Sequence, residues 1–573
     1  MKAVAEFAPS AFTNGYEFTQ GGGYQLPQYP FVEPPELRGG QPSHHPIVIV
    51  GGGLAGLTMA CALACYGVPA VLLDEDNTVG VKGASSRGIC YTQKSLEIFE
   101  RLGIYERIAA KGIQWSVGRT FAGHDEVYSF DLKQQPGYDL SSQPPFINIQ
   151  QFYIEGFLVE RVHELGHVDL RWSSRVTALR QDNEGATLTV STPAGDYALR
   201  AGHVIDATGS RSPLRAWAGA TVTAKKGDDR WCIADVRFTK HPPVERHTWI
   251  EAPFNENRAV WQHLMGDGVW RIDYQMPPDS DPDQVSREDV VRERLRRQFG
   301  ADCAVEIVWV GPYAYRSECV DRMRQGRVFF IGDAAKVVSP FGARGGNSGV
   351  ADADNLAWKM AAVAKAWAPP SLLDSYHEER HEAACQNVLV TNRTARFLRP
   401  AQGIERTFRA AALGLARQHV FARQFVNTGR MAIANPYSRS SVCDATGGKS
   451  VQNVGFDWTD GTPGQVNDLL RWADGYLLLL LFGEIDAPGL DRLKALCEIA
   501  PLRAVQVLGS AGRPVAREHI RDPDGRLQDA CHVFGRRWAL VRPDSYVAAT
   551  GESVDAALVR AVGRALAADK EST

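Results

Sequence analysis

The sequence predicts an α/β protein of several domains, and three segments carry that prediction. Residues 47–76 run strand, glycine turn, helix, strand and acid. Residues 327–360 run strand, Gly-Asp, a glycine-rich turn and helix. Beyond residue 455, apolar strands alternate with helical stretches, the pattern of a further α/β unit.

In the first segment, Ile47-Val48-Ile49-Val50 is a β-branched run suited to a strand buried on both faces. Gly51-Gly52-Gly53-Leu54-Ala55-Gly56 follows and fits GxGxxG. Gly51 permits the tight turn, Gly53 lets backbone approach a pyrophosphate, and Gly56 lets helix and strand pack closely. A helical stripe of Leu57, Ala60, Leu63, Ala64 and Gly67 comes next, then Val71-Leu72-Leu73 and the acids Asp74-Glu75-Asp76. Asp74 follows Gly51 at about the 20-residue interval at which an acid reaches a ribose; Glu75 is its rival. The free N–H groups of the helix start supply a phosphate site. This order makes a Rossmann-like dinucleotide-binding unit, without yet separating FAD from NAD.

The second segment, RVFFIGDAAKVVSPFGARGGNSGVADADNLAWKM, puts Asp333 at a strand end and a glycine-rich turn, Pro340 to Gly349, before another helix. Such an acid suits a second ribose-like element, and the glycines bring N–H groups close to a ring system. Between these blocks, Ala259-Val260-Trp261-Gln262-His263-Leu264 and Trp270-Arg271-Ile272-Asp273-Tyr274 alternate as strands about a Gly266-Asp267-Gly268 hairpin signal.

Bulk composition narrows the function classes. The 573 residues allow three or four domain-sized units. A net charge of −3 gives no field that selects nucleic acid or anionic membrane. The most apolar run, Tyr476 to Phe482, is too short to span a bilayer. Ten cysteines without CxxC or Cys/His ligand spacing point to reduced thiols, no metal site and a cytoplasmic protein. Residues 1–45, rich in Gly, Pro and Gln, read as an extended or disordered arm.

Together, the GxGxxG with Asp74, the Gly332-Asp333 block and Leu372-Leu373-Asp374-Ser375-Tyr376-x-x-Glu379-Arg380 resemble the class A flavoprotein aromatic hydroxylases, the para-hydroxybenzoate hydroxylase-like group. Val269-Trp270-Arg271-Ile272-Asp273-Tyr274-Gln275 and FGARGGNSG look like its 3-(3-hydroxyphenyl)propionate hydroxylase branch. The resemblance implies a discontinuous FAD-binding domain (46–225 and 311–400), an inserted mixed-sheet substrate domain (226–310), a helical linker (401–454) and a thioredoxin-like C-terminal domain (455–573) without CxxC. The resemblance also implies roles for individual residues. Gly51, Gly53, Ala55 and Gly56 would face the FAD pyrophosphate, and Asp74 the adenosine ribose. Arg87, Gln151 and Val176 would contact the cofactor, and Asp333 its ribityl chain. Gly345, Gly346 and Asn347 would line the isoalloxazine edge, with Pro340 close to the reacting ring. Two positions depart from the family pattern: Thr208 stands where it has an aspartate, and Lys336 where it often has a histidine.

The implied reaction is NAD(P)H- and O2-dependent hydroxylation of a small phenol via a flavin hydroperoxide, in aromatic degradation. A phenol of pKa about 10 needs a base or acceptor, and His263, Asp273 and Tyr274 are the candidates on the sheet. An epoxidase, a quinone-pathway hydroxylase or a reductase would keep the same FAD motifs. A non-catalytic flavin-binding interaction module would leave the sheet unexplained. A homo-oligomer is compatible with the C-terminal domain.

Overall fold

The computed structural model describes residues 24, 26–39, 43–80, 88–134, 141–400, 403–426, 433–510 and 512–568. Strand Ser43–Val50 lies inside an eight-stranded sheet, parallel to Gly195–Asp206 on one side and Ala70–Leu73 on the other. Val168–Arg171 and Val328–Phe330 extend the parallel part outward. The centre of the parallel part is covered on both faces, so Ile47 to Val50 and Ala70 to Leu73 are apolar and all buried. Helices Leu54–Cys65 and Arg344–Ala364 pack on each other against it, and both begin at the carboxyl ends of the parallel strands.

A second eight-stranded sheet is almost wholly antiparallel. It carries Val222–Phe238, Arg246–Ala252, Arg258–Leu264, Val269–Met276 and Val305–Val320, and also Val117–Ala122 and Asp125–Asp131 from well upstream. The sheet is therefore wider than residues 226–310. The hairpin signal is realised: a 3-10 turn at Gly266–Gly268 joins its two strands. Along Val269–Met276 every second residue, Trp270, Ile272, Tyr274 and Met276, packs with Val291 and Leu295 of helix Glu288–Phe299. Arg271 and Asp273 consequently face the other way.

The C-terminal unit has a thioredoxin-like arrangement. Leu477–Phe482 runs parallel to Leu502–Leu508 with helix Ala487–Ile499 between them, followed by the antiparallel pair Trp538–Val541 and Val547–Gly551 and helix Ala556–Ala565. It is locked to the nucleotide-binding unit by buried charge. Arg542 donates to both oxygens of Glu379 (2.5 and 2.9 Å), which also accepts from Lys359 (2.7 Å). Truncating one partner of such a pair costs about 3–5 kcal/mol, because the other is left buried and unpaired.

Two expectations about the connecting segments need correction. Among the described residues of the expected N-terminal arm, Tyr24 and Leu26 are buried, Tyr29 stacks on Trp172 with ring centroids 4.4 Å apart, and Glu36 pairs with Arg171 at 3.0 Å. The aromatic side chains interrupting the Pro/Gly composition supply the apolar area that holds this stretch down. The expected helical linker is helical over Ile404–Gln418 and Val420–Val426, whereas its described residues from 433 to 454 form no helix.

Candidate active site

Between the carboxyl ends of the parallel strands and the antiparallel sheet lies a cleft of about 1470 Å3, its open mouth included. One wall, the floor, is backbone. Gly51 turns at φ +107°, and a Cβ there would stand 2.5 Å from the Ala207 carbonyl oxygen. A Cβ on Gly56 would stand 1.9 Å from the Gly51 oxygen. Gly53 and Gly345 differ: each has a single neighbour, at 3.9 Å, within reach of an added Cβ. These two open cradles sit at the starts of two helices whose caps, Gly53 and Ala343, make no side-chain hydrogen bond to the helix N-terminus. Two positive helix ends thus border one cleft, an arrangement that fits the phosphates and ring edge of a dinucleotide.

Side chains brace this floor. Asp74 accepts from the Gly52 N–H and from the Asp76 N–H (2.8 Å). Asn347 takes the Thr92 N–H at 3.0 Å and donates to the Cys90 carbonyl at 2.9 Å, fixing the first turn of helix Arg344–Ala364 to strand Cys90–Thr92. Gln151 donates to Glu155 at 2.7 Å; burial pushes the Glu155 carboxyl up to about 7. Asp206 collects the Thr208 N–H (3.0 Å) and hydroxyl (2.7 Å) together with the Ser212 hydroxyl, so the departure at Thr208 builds a tight local turn. Lys336, the other departure, is buried against Asp352, whose carboxylate also takes Arg380 at 2.8 Å.

The opposite wall, the roof, is side chain. Strand alternation presents Trp261 and His263 from one strand and Arg271 and Asp273 from its neighbour, in cross-strand pairs His263–Arg271 and Trp261–Asp273. Ile233, Arg246, Tyr313 and Cys90 complete it. Arg271 is bidentate on Asp235 (2.9 and 3.0 Å). Burial pushes the Asp273 carboxyl up to about 7, although Arg271 opposes the shift. Burial, aided by Arg246 and Arg271, holds His263 well below its usual value, hence neutral. Its Nδ1 is buried without a hydrogen-bond partner among the described residues.

A family model described as an FAD binding domain matches residues 44–391, more than half of the chain. The 3-(3-hydroxy-phenyl)propionate/3-hydroxycinnamic acid hydroxylase of Burkholderia cenocepacia is 25% identical, aligned over 92% of this chain and 97% of its own. The chain belongs to the class A flavoprotein hydroxylases. A rifampicin monooxygenase of Streptomyces venezuelae is 30% identical over 59% of this chain and 69% of its own. Among solved structures, the flavin-dependent monooxygenase PieE in complex with FAD and substrate superposes with a TM-score of 0.77 at 24% identity, covering 92% of this chain and 100% of that one.

FAD is the cofactor of this flavoprotein, and the expected residues fall as follows. Gly53, Ala55, Gln151, Asp333, Pro340, Gly345, Gly346 and Asn347 line the cleft with His263 and Asp273. Gly51, Gly56 and Asp74 stand behind it, shaping the turn. Arg87 lies outside the described residues. Two expectations are corrected. Tyr274 is on the opposite sheet face and donates to Gln298 at 2.7 Å, because it is one residue out of phase with Asp273. Val176 is buried in the core on strand Arg175–Gln181, and its side chain does not line the cleft. Arg246, Arg271, Trp261 and Tyr313 went unsingled in the sequence. Counting two residues either way from His263 and Asp273 finds Trp261 and Arg271; nothing local finds Arg246 or Tyr313.

Proposed function

We propose that this flavoprotein hydroxylates a small phenol with NAD(P)H and O2, the ring lying between the sheet and the segment from Pro340 to the start of helix Arg344–Ala364. The overall balance is ArOH + NAD(P)H + H+ + O2 giving Ar(OH)2 + NAD(P)+ + H2O. The observation that carries the reading is that a neutral His263 and an Asp273 whose carboxyl burial pushes up to about 7 line one cleft from one sheet face.

Bound FAD, once reduced, supplies oxygen as an electrophile. The chain's own residues do the rest. Helix starts at Gly53 and Gly345 would hold the pyrophosphate and the ring edge, Asp74 the adenosine ribose, and Asp333 the ribityl chain. A phenolate ring yields electron density more readily than a phenol. The Asp273 carboxylate can take the phenol proton beside the neutral His263 ring, and Arg271 favours the anion so formed. Trp261, Ile233 and Tyr313 exclude water and present flat apolar surface to a ring.

The test is a panel of substituted phenols added to the FAD-loaded enzyme with NADH or NADPH. Phenol-stimulated cofactor oxidation, with a product heavier by one oxygen atom, is the expected result. Stimulation without an oxygenated product, or no response to any phenol, overturns it.

A further inference from the structure

We propose that Tyr24, carried by the segment that precedes the nucleotide-binding fold, is a positioning residue of the substrate site, setting Arg271 through Asp235. Asp235 is fully buried. Its Oδ1 accepts from Arg271 Nε at 2.9 Å, and its Oδ2 accepts from both Arg271 Nη2 (3.0 Å) and the Tyr24 hydroxyl (2.8 Å). The tyrosine hydroxyl therefore fills a third acceptor direction and leaves the carboxylate one orientation in which to grip the guanidinium. With Nε and Nη2 engaged behind it, Arg271 keeps Nη1 without a hydrogen-bond partner among the described residues, on a side chain that lines the cleft. The outward N–H groups are aimed by the inward pair, and the inward pair is aimed by Tyr24.

The segment is built to deliver that hydroxyl. The Tyr24 ring packs 5.0 Å from Phe152. The Tyr29 N–H donates to the Asn77 carbonyl at 2.7 Å, Gln28 bridges Thr78, and Glu36 pairs with Arg171. Residues 26–39 are thus fastened along the nucleotide-binding unit, while Tyr24 reaches the antiparallel sheet. One strap joins the two walls that enclose the cleft. A merely structural strap needs the ring and not the hydroxyl; burying a phenol oxygen on a buried ion pair serves orientation. Burial and the Asp235 charge hold the Tyr24 hydroxyl well above its usual pKa, so it stays a donor.

The inference rests on the reading that a phenol occupies this cleft, and its test separates the two. 4-Nitrophenol, whose absorbance reports its own binding and ionisation, is titrated into FAD-loaded wild type, Tyr24→Phe, Arg271→Lys and the double variant. Tyr24→Phe keeps the ring on Phe152 and should retain full flavin, with a Tm lowered by no more than the loss of one buried hydrogen bond. It should weaken 4-nitrophenol binding by about tenfold, the usual scale for a hydrogen bond to a charged group. The double variant should bind no more weakly than Arg271→Lys, because Tyr24 acts through that arginine. Unchanged binding by Tyr24→Phe overturns the proposal, as do additive losses in the double variant. Loss of flavin and Tm with intact binding would make Tyr24 a strap only and overturn it too. Binding that behaves as expected, without turnover of any phenol, would uphold the positioning role and defeat the hydroxylase reading. A wild-type enzyme that does not bind the probe overturns the positioning proposal and leaves the hydroxylase reading to the wider phenol panel.

Discussion

Along the floor of the cleft the chain offers backbone: Gly53, Ala55 and Gly345 present N–H groups at two helix starts, and Gly51 and Gly56 exclude any Cβ. Along the roof it offers side chains: Trp261, His263, Arg271 and Asp273 project from neighbouring strands. The two walls enclose one space and obey different tolerances. In the proposed function the floor would hold a large, constant cofactor, which calls for a fixed shape, and backbone supplies shape with no rotamers to order. The roof, in the same proposed function, would meet a small reacting ring, which calls for proton affinities poised near neutrality. Burial beside fixed charges supplies those, and only side chains titrate.

The largest expected effect is a break in the floor. Gly51→Ala would combine a left-handed φ with a Cβ 2.5 Å from a carbonyl oxygen. The cost should be about 3 kcal/mol or more. Flavin content and thermal unfolding of the purified protein measure it, and near-normal flavin would mean the turn has room that the geometry denies.

A break in the roof should spare flavin and damage chemistry. Asp273→Asn should lower oxygenated product per NAD(P)H by about 10²-fold or more, the scale of a lost general base, with hydrogen peroxide in its place. In the wild type, coupling should rise with pH through about 7, as the Asp273 carboxyl ionises, and this inflection should vanish in the variant. The same raised pKa has a stability consequence. Below the unfolded value of about 4 both states hold the proton. Between there and about 7 only the folded state does, so the stabilising contribution is lost as pH rises through that window. Unfolding curves from pH 4 to 8 should therefore flatten in Asp273→Asn relative to wild type.

The smallest effect sharpens the comparison within a single strand. Tyr274→Phe removes a hydroxyl from the far face of the sheet, where it donates to Gln298. Stability should fall by about 1 kcal/mol, measured by denaturant unfolding, with product-to-NAD(P)H coupling unchanged. Uncoupling in Tyr274→Phe of the size seen for Asp273→Asn would mean that face selection does not govern the chemistry.

The floor was largely legible in the sequence. A turn at Gly51, a close packing at Gly56 and a helix start at Gly53 each follow from residue types within six positions, and the strand, helix and acid around them need only local periodicity. The same holds for the Gly332-Asp333 block. Local pattern also marked His263 and Asp273 as strand residues of the right chemistry. It does not place Tyr274 on the far face, because functional group alone makes His263, Asp273 and Tyr274 equal candidates, and phase along the strand decides which face each one sees.

What the sequence determined by itself is whatever a short stretch of backbone enforces: the nucleotide turn and the apolar strands of the C-terminal unit, whereas the second glycine segment, expected as a turn to Gly349, is already helical from Arg344. Tertiary structure decided which charges meet. Asp235 and Arg271 stand 36 residues apart, and Tyr24 reaches Asp235 across 211. The poise of Asp273 comes from burial and from Arg246 and Arg271, brought together by sheet register. The physical reason is one of range. Steric rules act between near neighbours in the chain, whereas burial and Coulomb interactions act between neighbours in space, and those exist only once the sheet has formed.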